Sequence, residues 1–155
     1  TVIDRYASDN ISKEAFDLLN LAEYLKNNFK LKISFVEYCS YNSYLSREQI
    51  INKVLDIFSF CYERKVNQIG LKRMKQFEKF IMLQTLDDQW KEHLSTIDYL
   101  RQGIHLRGYA QKDPKQEYKK ESFVMFSDML KNLKFQVISK LSFFVVSDKY
   151  TNNCF

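Results

Sequence analysis

Glycine and proline are scarce in this chain, with three glycines and one proline in 155 residues. These are the residues that interrupt helices, so long uninterrupted ones are open to it. Cysteine is scarce too. Cys39, Cys61 and Cys154 are odd in number and far apart, with no CxxC or histidine spacing around them. That argues against a disulfide frame or a zinc site and reads as reduced cytosolic thiols. No apolar run approaches the ~20 residues that span a bilayer. The start, TVIDRYASDN, lacks the basic-then-apolar order of a signal peptide, and its first residue, Thr1, places it away from a native initiator methionine. Neither GxxxxGK[ST] nor GxGxxG occurs, so no phosphate-cradling loop is expected.

Apolar and aromatic residues are plentiful. The hydrophobic fraction is 45%, with 13 Phe and 10 Tyr, enough for the core of one domain or of two small modules. The formal charge of +5 permits a nucleic-acid or anionic-membrane partner without demanding one. Lys, Asn, Ile, Phe and Tyr are also the residues an AT-rich coding sequence favours, which weakens any argument from charge.

Gly70 separates two patterns. Before it, Ser12 can cap a helix carrying Ala15, Phe16, Leu18, Leu19, Ala22 and Leu25. FKLKISF, with Phe29, Leu31, Ile33 and Phe35 alternating with polar residues, reads by period alone as a short strand. Ser46 and Gln49 then form a capping-box pattern. The helix they open carries Ile50, Ile51, Val54, Leu55, Ile57, Phe58 and Cys61, a wide arc that should be covered on most faces. After Gly70 the apolar positions run Leu71, Met74, Phe77, Ile81, Leu86, Trp90, Leu94, Ile97 and Leu100, and no breaker intervenes before Gly103. From Pro114 the period resumes with Tyr118, Ser122, Phe126, Leu130, Leu133, Val137 and Leu141. Two long helices around a short broken segment predict an antiparallel hairpin. Gly103, Gly108 and Pro114 cluster because the chain reverses there, and Asp113-Pro114 suits the start of the return helix. The turn is more elaborate than a reversal requires. From Arg101 to Glu121 six Lys or Arg stand against three acidic residues, a net +3. Tyr109 lies between Gly108 and Ala110, where nothing local buries it; the alternative is a tyrosine folded back to staple the hairpin.

Catalytic chemistry finds little support. His93 and His105 are the only histidines, and both read as structural. Asp88 and Glu92 have the i, i+4 spacing of a ligand pair but also that of a solvated face. Asp87 and Asp88 beside Trp90 have no nucleophile or histidine placed to complete an acid–base set. Phe123, Phe126, Phe135, Phe143 and Phe144 read as core.

The stretch from Met82 to Phe126, MLQTLDDQWKEHLSTIDYLRQGIHLRGYAQKDPKQEYKKESFVMF, closely resembles the two-helix finger of SecA, the ATP-driven motor of bacterial preprotein export. LRGYAQKDPKQEY is its most specific part. The similarity continues less densely to Ser142, and LAEYLKNNFKLKISFVEY with YERK resembles the family's helical wing domain. The resemblance implies an all-α fold, a wing over 1–69 and a scaffold segment with the finger over 70–145; the residues it does not cover, 146–155, are expected to form a disordered tail. In place of the strand it implies an unpaired extended segment. It implies that Tyr109 contacts the translocating polypeptide, from a finger-tip loop of Leu106, Arg107, Gly108, Ala110, Gln111, Lys112, Asp113 and Pro114. The implied partners are the SecY channel, unfolded preprotein, the remaining SecA domains and the anionic membrane surface, at the cytoplasmic face of the bacterial inner membrane. ATP and Mg belong to motor domains without counterpart in these residues, and the family's zinc-binding tail has none either, so no cofactor, metal or catalytic residue is expected here. Without its scaffold helix the chain should expose apolar surface and associate or be marginally stable. Two other readings of the same features are a basic hairpin binding nucleic acid, with Tyr109 stacking on a base, and a purely structural helical scaffold.

Overall fold

Four stretches with helical apolar spacing and few internal breakers become four helices in the computed structural model, which describes residues 14–33, 47–107 and 113–145. They are α1 (Glu14–Phe29), α2 (Arg47–Ile69), α3 (Leu71–Arg107) and α4 (Pro114–Phe143). No strand occurs among the described residues, so the fold class is all-α as expected. Leu31, Lys32 and Ile33 are neither helix nor strand. The remainder of FKLKISF, Ser12, Ser46 and the expected tail beyond residue 145 lie outside the described residues. Two compact units are present, one comprising Thr1–Lys75 with Ser142–Phe155 and the other Gln76–Leu141.

The first unit has its core on one face of α1. Leu21, Leu25 and Phe29 are buried at four-residue spacing, and Leu31 follows them just past the helix. Leu19, placed on the apolar face by period, is 56% exposed. Ile50 and Val54 of α2 and Met74 of α3 complete the buried set. The Phe29 ring meets Phe58 edge-on at 5.3 Å and Tyr24 at 6.3 Å. The arc of α2 is less covered than its composition suggests, since Leu55 and Phe60 lie open to solvent. Two lysines serve the C-terminal end of α4 within this unit. Lys65 Nζ donates to the Ser142 carbonyl at 2.8 Å, and Lys30 Nζ stands 5.8 Å from the Phe143 ring centroid. Cations suit a helix C-terminus, where carbonyls without helical partners carry partial negative charge.

Gly70 has a backbone reason for its identity. Its φ of +82° is left-handed, and its N–H donates to the Val66 carbonyl at 2.8 Å, the αL stop of a helix C-terminus. Its own carbonyl accepts from Met74 N–H at 3.0 Å, so α3 starts at once. Gly103 behaves otherwise. It is expected in the turn but lies inside α3, which runs to Arg107. Its neighbours Leu100 and Ile104 are both buried, and tertiary packing of that kind overrides the weak intrinsic penalty of one glycine. The two glycines should therefore respond oppositely to alanine. Gly103→Ala adds a Cβ with nothing within 4 Å and is expected to stabilise by about 0.5–1 kcal/mol. Gly70→Ala forces an L-residue left-handed and is expected to cost about 1–2 kcal/mol. Urea midpoints of the two variants check both signs.

α3 and α4 are 37 and 30 residues long, or roughly 55 and 45 Å at 1.5 Å per residue. Within the second unit they run antiparallel. Thr85 of α3 meets Lys140 of α4, and His93, further along α3, meets Phe126, earlier in α4.

Candidate functional site

The end of the hairpin where the chain reverses is built from two helix termini. α3 ends with Leu106 and Arg107, and α4 opens with Pro114 as its first residue. Proline suits that position because a first-turn N–H has no helical partner and its φ is already helical. Asp113 is the N-cap. Its Oδ1 accepts from Lys115 N–H at 3.0 Å, and its carbonyl accepts from the N–H groups of Gln116 and Glu117, each at 3.1 Å. Glu117 adds acidic charge in the first turn, where the helix dipole favours it. Asp113→Ala is expected to destabilise by about 1 kcal/mol, with Asp113→Asn close to neutral. Chemical denaturation of the pair measures the difference.

Of the proposed tip residues, Leu106, Arg107, Asp113 and Pro114 are thus placed at helix ends. Gly108, Tyr109, Ala110, Gln111 and Lys112 lie outside the described residues. Around them Arg101, Lys115, Lys119 and Lys120 are exposed, with Arg101 paired to Asp98 at 3.2 Å.

The body of the hairpin departs from the periodic reading in one respect. Leu86, Trp90 and Leu94, expected on the packed stripe of α3, are 37%, 44% and 48% exposed. Thr85 and Gln89 are buried instead, and His93 is half-buried. Each of these lies one position earlier, about 100° around the helix. On α4 the buried seam is Met129, Leu133 and Val137. Phe123, Phe126 and Phe143, read as core, are exposed; Phe135 and Phe144 are half-buried. Two helices share a single seam, so an apolar residue on the flank of that seam meets nothing in the hairpin itself. His93 sits between Trp90 at 5.6 Å and Phe126 at 5.7 Å, ring to ring. These contacts place Trp90 and Phe126 on the same flank. Leu86 and Leu94, one turn either side of Trp90, and Leu130, one turn beyond Phe126, extend it. The flank is an exposed apolar stripe that periodicity alone assigned to the interior.

The acidic residues do not assemble a reaction centre. Asp87 receives a hydrogen bond from Lys91 Nζ at 2.6 Å, and that bond with the attraction of Asp87 raises the lysine's pKa above its ordinary value. Both partners are exposed, as expected of a solvated face. Glu92 accepts from Gln89 Nε2 at 3.4 Å. Among the described residues no three His, Cys, Asp or Glu gather where they could hold a metal ion. Nor is any helix among them long and apolar enough to cross a membrane.

The all-helical fold of the described residues is consistent with what comparison with known families finds. Residues 1–144 match the model of the SecA Wing and Scaffold domain. That domain is a non-catalytic part of SecA, whose family works in protein translocation and is cytoplasmic or peripheral to the membrane. With the match running from the first residue to the end of α4, the chain belongs to the SecA Wing and Scaffold domain family.

Proposed function

We propose that this chain is the wing and scaffold part of a SecA motor, and that α3 and α4 form its two-helix finger. In this reading the segment from Leu106 to Pro114 reaches the cytoplasmic mouth of the SecY channel, and Tyr109 touches the unfolded preprotein. The family match over residues 1–144 carries the proposal. Physical chemistry supports the detail. An aromatic ring grips unfolded chain of any sequence through apolar contact and its hydroxyl. Gly108 beside it allows close approach to a backbone. The net +3 from Arg101 to Glu121 suits work near an anionic membrane surface. The chain acts mechanically and takes no cofactor of its own. ATP and Mg act in the motor domains, the remaining SecA domains being its partners along with SecY and preprotein.

The test is replacement. Residues 1–145 are put into a complete SecA motor in place of the matching region, and ATP-driven import of a preprotein into SecY-containing vesicles is followed. Import comparable with that of the parent motor supports the proposal. An intact, ATP-hydrolysing chimera that imports nothing contradicts it.

A further inference from the structure

The seam between α3 and α4 is apolar on the α4 side and carries two buried polar side chains on α3, Thr85 and Gln89. Met129, Leu133 and Val137 repeat every four residues on α4, and Leu100 and Ile104 do so on α3. These apolar residues scarcely distinguish one axial setting from the next. A four-residue slip puts Leu133 in the place of Met129 and Val137 in that of Leu133, swaps that packed interiors tolerate. The chain connection does not forbid it either. Six residues lie between the last residue of α3 and the first of α4. Extended, they reach ~20 Å, against ~6 Å for a one-turn slip.

Thr85 does distinguish the settings. It is fully buried, and its hydroxyl accepts a hydrogen bond from Lys140 Nζ at 3.0 Å. Slipping one way sets Thr85 opposite Gln136 but Lys140 opposite Ile81, which offers an ammonium no acceptor. Slipping the other way sets Lys140 opposite Gln89 but leaves Thr85 opposite Phe144. Either shift sets a polar group against an apolar one, at a cost that is largest for the fully buried Thr85 and smaller for the half-buried Lys140. We infer that the Thr85–Lys140 hydrogen bond is a register lock, selecting one setting of α4 along α3. A single buried polar contact setting helix register is the best-attested use of such groups. The inference stands on the hairpin geometry alone and is independent of the translocation proposal.

Nitroxide labels at the exposed positions Ser95 and Lys134, in the 155-residue chain with its native cysteines replaced, report the setting as an interspin distance by pulsed EPR. The parent and Lys140→Arg, which keeps a donor, should each show one distance. Thr85→Val and Lys140→Met should each add a second population, displaced along the axis by ~6 Å. The double variant Thr85→Val/Lys140→Met should melt no lower than ~3 °C below the parent, because its two polar groups leave together. One unchanged distance in every variant overturns the inference. So does loss of helical signal in Lys140→Met, which would make the pair a stabilising contact and not a selector of register.

Discussion

Tyr109→Ala, placed in a SecA motor carrying residues 1–145, is expected to cut ATP-driven import by roughly thirtyfold, while Tyr109→Phe stays within a few-fold of the parent. The magnitudes follow from what each substitution removes. Truncating an aromatic anchor at an interface costs about 2 kcal/mol, roughly thirtyfold in occupancy. Removing only the hydroxyl removes one hydrogen bond of about 0.5–1.5 kcal/mol and keeps the apolar face. ATP hydrolysis by the motor domains, assayed in parallel, should stay intact, because the substitution lies in a region of the family that is not catalytic. Equal import by Ala, Phe and Tyr would return Tyr109 to a hairpin staple.

The second large effect concerns the first compact unit. Leu21 is fully buried on the face of α1 that also carries Leu25 and Phe29. Leu21→Ala is expected to destabilise by about 2–5 kcal/mol, the transfer energy of the lost methyls plus the cavity they leave. Against a typical total of about 5–15 kcal/mol that is a substantial share. Leu19→Ala is the control. It removes the same atoms two residues away, from a side chain 56% exposed, and should stay within about 0.5 kcal/mol. Urea denaturation followed by circular dichroism reads both. Equal losses would mean that α1 buries a different face.

Much of this architecture was legible in the residues. Gly70 stops a helix because its backbone must turn left-handed, and that need is written in the residue itself. Asp113-Pro114 opens α4 for equally local reasons, a cap oxygen followed by a residue already shaped for the first turn. Gly103 was harder, since its helical state depends on the packing of Leu100 and Ile104 and not on its own preference. Hardest was the seam. α3 carries Leu86, Trp90 and Leu94 at a spacing well suited to burial, yet Thr85 and Gln89 face inward. Period shows that a stripe is apolar but not which neighbour covers it. Only the partner helix, through Lys140 on Thr85 and Phe126 on His93, decides between two adjacent stripes. The role of Tyr109 was suggested by the family resemblance of LRGYAQKDPKQEY, and no local spacing rule supplies it.

The central claim, that the segment between α3 and α4 touches the moving polypeptide, is tested most directly by a photo-crosslinking amino acid at position 109 of the SecA chimera. A preprotein with a folded C-terminal domain is arrested midway through the SecY channel, the sample is irradiated, and adducts are identified. The account predicts a strong adduct between position 109 and the arrested chain, lost without ATP and absent when the label is moved to the exposed Ser59 of α2. An arrested preprotein that labels from position 59 but not from position 109 would contradict it.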